Sequence, residues 1–187
     1  MSSGHRVAAE RSNERGAICR TGPCRANLYA AEDAVPELNS EFLGELRIEV
    51  SGSHIFGPTP MGEMRRIDWF EGGSFKGPRI QAEIVKGSAD ALLRRFDGVV
   101  QPDVRLALKA DDGGHIFVQY RGIRHAPDAV MQRIAEGELV PPSEYYLRTS
   151  VFFETDSEKY AWLNRIVAVG VGRREPDAAV YDIFEIL

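Results

Sequence analysis

Short segments in which apolar and polar side chains alternate are the feature that most restricts how this chain can fold. Val104, Leu106 and Leu108 alternate with mostly charged side chains. The same period of two recurs along residues 41–50 and 115–121. In a β-strand, successive side chains point to opposite faces, so this period indicates strands that bury one face. The chain is therefore predicted to be all-β.

Turn-forming residues separate the alternating segments at short, fairly even spacing. Asp97-Gly98 and Asp112-Gly113 are typical of tight hairpins, because glycine adopts the positive φ angles that these turns need. Evenly spaced strands joined by short turns favour an antiparallel meander. Because an open sheet leaves two unpaired edges and closure removes them, we predict an antiparallel up-and-down β-barrel of about eight strands.

Residues 127–136 depart from the β pattern and are predicted to form one short helix inserted in the barrel. Val130 and Ile134 recur at helical spacing. Pro127 suits the first position of a helix, and Gly137 suits the residue just past its end.

Residues 1–38 differ from the rest of the chain in composition and are predicted to be a disordered or loosely attached tail. They are rich in polar residues and glycine, and bury too little apolar surface to offset the entropy of ordering. Residues 39–187 are predicted to form one domain, a normal length for a single core. Cys19 and Cys24 are too few for a disulfide framework or a zinc site, so no metal is expected. No cofactor is predicted either.

Charge and hydropathy bear on the partners of the chain. Its net charge of −5 argues against nucleic acid, because a binder must neutralise many phosphates, and against an anionic membrane surface. No segment approaches the ~20 apolar residues that a membrane-spanning helix needs, and no apolar stretch resembles a secretory signal. We predict a cytoplasmic protein that binds neither nucleic acid nor membranes.

Polar side chains within the β segments are the candidate functional residues. Arg148 lies two residues from Tyr146 on one side and four from Phe152 on the other, so the three share one face of a strand. If that face lines the barrel interior, Arg148 needs a partner, because an unpaired buried charge is very costly. Glu154 shares the face and could be that partner. Tyr146 and Arg148 are therefore predicted to bind a ligand.

A second charged group lies along two neighbouring candidate strands and includes Asp90 and Arg105. It is either a set of cross-strand ion pairs on a solvated face or the polar wall of a cavity that holds a carboxylate or enolate. On the second interpretation Asp90 and Arg105 bind a ligand. Tyr120 is also among the predicted ligand-binding residues. The candidates for proton transfer are Asp90, Glu154 and His125, a histidine beside the predicted helix.

Residues 160–164 contribute a large ring and an amide near the end of a strand. Trp162 is either a plug of the barrel or a pocket residue, and Asn164 either caps a turn or contacts a ligand. Both are included among the predicted ligand-binding residues. Gly170 and Gly172 form an isolated G-x-G, which is interpreted as a turn. The chain carries no Walker loop, nucleophile elbow or zinc-protease motif.

An ordered set of short motifs gives the chain a resemblance to a known family. The motifs include Glu71-Gly72-Gly73, Lys76-Gly77-Pro78-Arg79-Ile80, Gly87-Ser88-Ala89-Asp90, Arg95-Phe96-Asp97-Gly98, Tyr145-Tyr146-Leu147-Arg148-Thr149 and Lys159-Tyr160-Ala161-Trp162-Leu163-Asn164-Arg165. Across residues 43–187 the sequence resembles the DUF3237 family, also called UPF0311. The resemblance implies an up-and-down β-barrel with a pocket at one end or through the middle, and no settled reaction. The family usually has Trp where this chain has Ala91, which implies a wider pocket if that position lines the cavity.

Three hypotheses for function follow. The leading one is a barrel that binds a small molecule, either a small carboxylate or an aromatic metabolite. The second is a cofactor-independent isomerase, cyclase or dehydratase that uses acid–base residues in the barrel pocket. The third is an assembly or structural protein, since barrel domains often pair, and this includes a homo-oligomer.

Overall fold

The barrel is built from strands that follow one another along the chain. The computed structural model describes residues 37–187, which form ten strands in one antiparallel sheet. The strands are β1 (Ser40–Phe56), β2 (Met64–Lys76), β3 (Gln81–Ile84), β4 (Ser88–Arg94), β5 (Val100–Gln101), β6 (Asp103–Ala110), β7 (His115–His125), β8 (Tyr146–Thr155), β9 (Ala168–Arg174) and β10 (Ala178–Ile186). The sheet closes on itself because β1 pairs with both β2 and β10.

Eight positions around the ring account for the ten strands. β3 and β4 both lie between β2 and β6, and a turn containing Gly87 at a φ of +99° separates them. β5 and β6 both lie between β4 and β7, and Pro102 separates them because proline has no N–H for the ladder. The predicted up-and-down barrel is confirmed, with ten strands because two positions each hold an interrupted strand.

Inward-pointing side chains fill one end of the barrel with apolar groups. Val104, Leu106 and Leu108 of β6 are buried, as their alternation predicts. At the end where β7 begins, the buried side chains include Leu43, Phe75, Ile116, Tyr160 and Leu163. Burying these side chains stabilises the barrel, since burial contributes roughly 25 cal/mol per Å² of apolar surface.

A β-bulge in β1 changes which of its side chains point inward. The register of β1 with β10 shifts between Phe42 and Gly44. Phe42 is consequently 43% exposed, whereas Leu43 is buried. The alternation predicts Phe42 on the same face as Leu46 and Ile48. That placement of Phe42 is wrong, although Leu46 and Ile48 are buried as predicted.

β9 turns its smallest residues into the barrel and its valines outward. Val169 is exposed, whereas Gly170 and Gly172 are buried. A Cβ atom on Gly172 would lie 2.4 Å from Leu147 and 2.7 Å from Tyr181, so glycine makes room for two inward side chains. The interpretation of the G-x-G as a turn is wrong, because both glycines lie within a paired strand.

One helix, α1 (Asp128–Ala135), is inserted between β7 and β8 in the chain. Val130 and Ile134 pack against the core, so the predicted helix is confirmed. Gly137 follows it with a φ of +87°. Within residues 37–187, no helix is long and apolar enough to cross a membrane. The predicted tail lies outside the described residues except for its last two positions, and both cysteines lie outside them.

Candidate functional site

A small cavity lies at the end of the barrel where β7 ends and β8 begins. Its polar lining consists of Arg66, Asp68, Asp90, Tyr120, Arg124, Arg174 and Tyr181. We call this the polar end. The cavity has a volume of about 40 Å³. One water needs roughly 10–15 Å³ of such volume, so the cavity has room for about three waters.

Asp90 is the carboxyl group at the polar end whose ionisation is most perturbed. It points inward from β4 and is only 8% exposed. Its Oδ1 atom accepts a hydrogen bond from the backbone N–H of Asp103 at 2.9 Å. Burial raises the pKa of Asp90 to about 7, and the neighbouring Asp68 contributes to the rise. A carboxyl group that titrates near neutral pH can both accept and release a proton.

Asp68 lies opposite Asp90 on the neighbouring strand β2 and is also buried. It differs from Asp90 in its partners. The Arg66 Nη2 atom lies 2.8 Å from Asp68 Oδ2, and the hydroxyl of Ser53 donates to Oδ1. The charge of Asp68 is therefore balanced within the cavity wall, as a buried carboxylate requires.

Two further arginines approach the cavity from β7 and β9. No carboxylate of residues 37–187 lies within 4.0 Å of the guanidinium of Arg124 or of Arg174. The Arg124 Nε atom is buried and has no hydrogen-bond partner in the part of the chain that the structure describes. Burial and the nearby Arg174 lower the pKa of Arg124. A buried guanidinium N–H without an acceptor is a strong sign that a ligand or water supplies one.

Two tyrosines complete the wall opposite the carboxyl groups. The rings of Tyr120 and Tyr181 are buried, with their centroids 5.2 Å apart. Burial raises the pKa of both hydroxyls, so they stay neutral near pH 7 and can donate hydrogen bonds. Gly172 makes the position of Tyr181 possible by leaving out a side chain.

The charges at the polar end do not cancel. Three guanidinium groups face two carboxyl groups, and the raised pKa of Asp90 reduces its negative charge at neutral pH. Arg66 neutralises Asp68, which leaves Arg124 and Arg174 in excess. An excess of positive charge beside neutral hydroxyl donors suits a small anion, and Asp90 lies within the same cavity to exchange a proton with it.

Comparison with known proteins identifies the family of this chain. Residues 38–186 match the family described as "Protein of unknown function (DUF3237)". The chain belongs to the DUF3237 family. A UPF0311 protein of Rhodopseudomonas palustris is 32% identical over 124 residues, which cover 66% of this chain and 81% of that protein.

Solved structures of DUF3237 relatives share the fold. The crystal structure of a conserved protein of unknown function from R. palustris superimposes with a TM-score of 0.78 at 29% identity, covering 82% of this chain and 100% of that one.

The hydroalkoxylation enzyme phnH of Penicillium herquei is a more distant relative. It is 25% identical over 132 residues, which cover 71% of this chain and 72% of the enzyme.

Two of the residues predicted from the sequence lie in the cavity of this DUF3237 barrel. Asp90 and Tyr120 both point inward and line the polar end. Arg105 points outward, and its Nη1 atom lies 2.8 Å from Asp103 Oδ1. For Arg105, the alternative of an ion pair on a solvated face is therefore the one that the structure supports.

The predicted face of β8 points away from the cavity. Tyr146, Arg148 and Glu154 are exposed, whereas Leu147 points inward and lines the polar end. The interpretation of the Arg148 face as interior is wrong, because the inward positions of β8 are the odd-numbered ones. The pairing of β8 with β7 sets this parity, which alternation alone does not reveal.

His125 and Tyr146 stack on the outer surface beside the polar end. Their ring centroids lie 5.1 Å apart, and the guanidinium of Arg148 lies 5.1 Å from the Tyr146 ring. The exposed His125 therefore lies outside the cavity that holds Asp90. The structure does not bring these two acid–base candidates together.

Trp162 and Asn164 lie at the apolar end, far along the barrel from Asp90. The Asn164 side chain accepts from the Thr155 N–H and donates to the Thr155 carbonyl, each at 2.8 Å, and so caps the end of β8. The guanidinium of Arg79 lies 3.9 Å from the centroid of the Trp162 ring. The two residues therefore close the barrel rather than share the cavity of Asp90.

Ala91, which stands where the family usually has Trp, does not alter the cavity. Ala91 is the neighbour of the inward-pointing Asp90 and faces the outside of β4. Its carbonyl accepts a hydrogen bond from Arg65 at 2.6 Å. The expectation of a wider pocket at this position is not met, because the side chain of residue 91 does not line the polar end.

Sequence reasoning missed five polar residues of the cavity, namely Arg66, Asp68, Arg124, Arg174 and Tyr181. One signal was available for part of this set. Asp68 and Arg66 share the parity of Phe70, and Arg124 shares the parity of Tyr120. Charged residues that continue an apolar inward face indicate a polar lining at the end of a strand.

Proposed function

We propose that the polar end of the barrel binds a small organic anion through Arg124 and Arg174. The observation that carries the proposal is the pair of guanidinium groups without a carboxylate partner among residues 37–187, one of them with a buried Nε atom that lacks an acceptor. An arginine in that state is costly unless a ligand pairs with it. A carboxylate or an ionised phenol supplies the acceptor.

The remainder of the cavity wall indicates the size and character of the ligand. Phe70, Leu92 and Leu147 provide apolar contacts beside the arginines. The cavity of about 40 Å³ is too small for a metabolite, so a metabolite must displace side chains at its mouth. Arg66 and Arg174 are partly exposed and have long stems that can move. We infer a ligand with one anionic group and one small apolar or aromatic body.

Arg124→Met tests the anion site with benzoate as the probe. Met keeps the apolar stem and removes the charge, and a hydrogen bond to a charged group contributes ~1.5–3 kcal/mol. We expect the affinity for benzoate, measured by titration calorimetry, to fall at least about tenfold, since 1.4 kcal/mol is a factor of ten. Arg105→Met, an exposed arginine of the outer face, serves as the matched control and should leave the affinity unchanged.

Benzamide has the shape of benzoate without its charge and provides a second control. The wild-type protein should bind benzamide far more weakly than benzoate. Equal affinity for the two probes, or an Arg124→Met variant that binds benzoate as well as the wild type does, would contradict the proposal. No binding of benzoate to the wild type would also count against it.

A second function is favoured by Asp90, namely cofactor-independent proton transfer of the isomerase, cyclase or dehydratase kind. Its buried carboxyl has a pKa of about 7 and lines the same cavity as Arg124 and Arg174, which can stabilise negative charge developing on a substrate. The relationship to a hydroalkoxylation enzyme supports this candidate. Adding an O–H group across a double bond requires one proton to be removed and another to be delivered.

Deuterium exchange into 2′-hydroxyacetophenone tests this second function. The compound carries an ionisable phenol hydroxyl and a methyl ketone. Removing a proton from the methyl group forms an enolate. We expect the wild-type protein to accelerate exchange above buffer, and Asp90→Asn to lower the rate by about 10²-fold or more, the usual contribution of a general base. Proton NMR in D₂O measures the rate. Exchange that is no faster than in buffer, or that is unchanged in the variant, would rule this function out for the probe class.

A further inference from the structure

The outer face of three neighbouring strands carries large apolar side chains. Phe152 of β8 is 51% exposed and Val167, directly before β9, is 48% exposed. Val169 of β9 is exposed and lies opposite Phe184 of β10. Single exposed apolar residues are ordinary, but a contiguous group on a sheet face marks an interaction surface. We call the group Phe152, Val167, Val169 and Phe184 the outer apolar face.

The strand register gives this face an internal symmetry. Ser150 pairs with Val169 and Val151 pairs with Ala168, so Val151 and Ala168 lie at one level along the barrel. Val167 and Val169 lie one residue to either side of that level. Consider a two-fold axis that runs parallel to the outer surface of the sheet and perpendicular to β8, at the level of Val151. This axis would place Val167 against Val169 of a second copy. A dimer interface of this kind needs a surface that matches itself in this way.

Charges on β8 follow the same symmetry. Arg148 and Glu154 both point outward, three residues before and three residues after Val151. The guanidinium of Arg148 donates to the carbonyl of Leu147 at 2.9 Å, and neither Arg148 nor Glu154 forms an ion pair with another part of residues 37–187. The same axis would place Arg148 opposite Glu154 of the partner subunit, and would do so twice.

We propose that the outer apolar face is the interface of a symmetric homodimer, with a second copy of this chain as its occupant. Apolar side chains lie at the centre of the face and complementary charges at both of its ends, which is the usual arrangement of a protein interface. The cavity side chains point to the other side of the sheet. The dimer therefore does not depend on the anion site, and either proposal can fail without the other.

Charge reversal on the full chain tests the dimer. Arg148→Glu creates two repulsive contacts between carboxylates, and Glu154→Arg creates two between guanidinium groups. We expect each single change to raise the dimer dissociation constant by about tenfold or more, since like charges across an interface cost up to several kcal/mol. The double variant R148E/E154R restores both pairs with reversed sign and should dimerise nearly as well as the wild type. Sedimentation-equilibrium ultracentrifugation measures the constants.

A second pair of variants separates the interface from general surface effects. Phe152→Glu should abolish the dimer, whereas Phe96→Glu, at a 64% exposed phenylalanine outside the outer apolar face, should leave it intact. Circular dichroism confirms that each variant is folded. A wild-type chain that stays monomeric at 100 µM, or a double variant that dimerises no better than the single variants, would overturn the proposal.

Discussion

Asp90→Asn is expected to stabilise the folded protein at pH 8 and to leave its stability at pH 4 nearly unchanged. The pKa of Asp90 rises from an ordinary value of 3.8 to about 7 in the folded state. Between these values the unfolded chain releases the proton and the folded chain keeps it, so wild-type stability falls as pH rises. A shift of about three units at 1.36 kcal/mol per unit corresponds to ~4 kcal/mol. Because Asn cannot ionise, the stability of the variant should not show this decline as the pH rises.

Urea unfolding of wild type and variant at several pH values measures the effect. Asn also keeps a carbonyl oxygen for the hydrogen bond from the Asp103 N–H. Asp156→Asn, at an exposed aspartate, is the matched control and should not alter the dependence of stability on pH. A difference between wild type and Asp90→Asn that does not grow between pH 4 and pH 8 would show that Asp90 ionises normally in the folded protein.

This outcome would bear on function as well as stability. A carboxyl group that weakens the folded protein at neutral pH is unexpected in a purely structural role. Active and binding sites commonly retain such groups at a cost in stability. An increase in stability combined with a loss of deuterium exchange in Asp90→Asn would be the result that most strongly supports an enzyme.

Phe75→Ala is expected to produce the largest loss of stability among simple truncations at the apolar end. Phe75 is fully buried, and its ring stacks against that of Phe153 with centroids 6.1 Å apart. Truncating a buried phenylalanine removes its burial free energy and leaves a cavity, at a cost of about 3–5 kcal/mol. Phe96→Ala is the matched control, and should change the unfolding free energy by less than ~0.5 kcal/mol because its side chain is exposed.

The comparison of Phe75→Ala with Phe96→Ala also tests whether the apolar end provides most of the stability of the barrel. If the apolar end provides most of the stability, Phe75→Ala should lower the urea midpoint greatly at every pH. A loss below ~1 kcal/mol would mean that the surrounding strands collapse into the space, contrary to the close packing usual in protein cores. The polar end can then hold poorly paired charges because the opposite end stabilises the fold.

Much of the fold could be predicted from the sequence. The alternation of Val104, Leu106 and Leu108 predicts a strand with one buried face, and β6 has that face buried. Asp97-Gly98 and Asp112-Gly113 predict tight turns, and both glycines have positive φ angles. These features are local, so a few consecutive residues contain all the information that a prediction needs.

The candidate site was predicted less well. Asp90 and Tyr120 are in the cavity, but Arg148 points outward, and Trp162 lies at the other end of the barrel. Parity within a strand says which side chains share a face and does not say which face is inside. Where apolar residues occur on both faces, as in β8, the pairing with neighbouring strands decides.

The sequence by itself determined an all-β barrel with short turns and one inserted helix, because periodicity and turn chemistry act between near neighbours. Only the tertiary structure brought Arg124 and Arg174 to the same cavity as Asp90. These residues come from three strands that are far apart in the chain, and closure of the sheet is what brings them together. Register and closure depend on all the strands at once, which is why the anion site could not be recognised from any one segment.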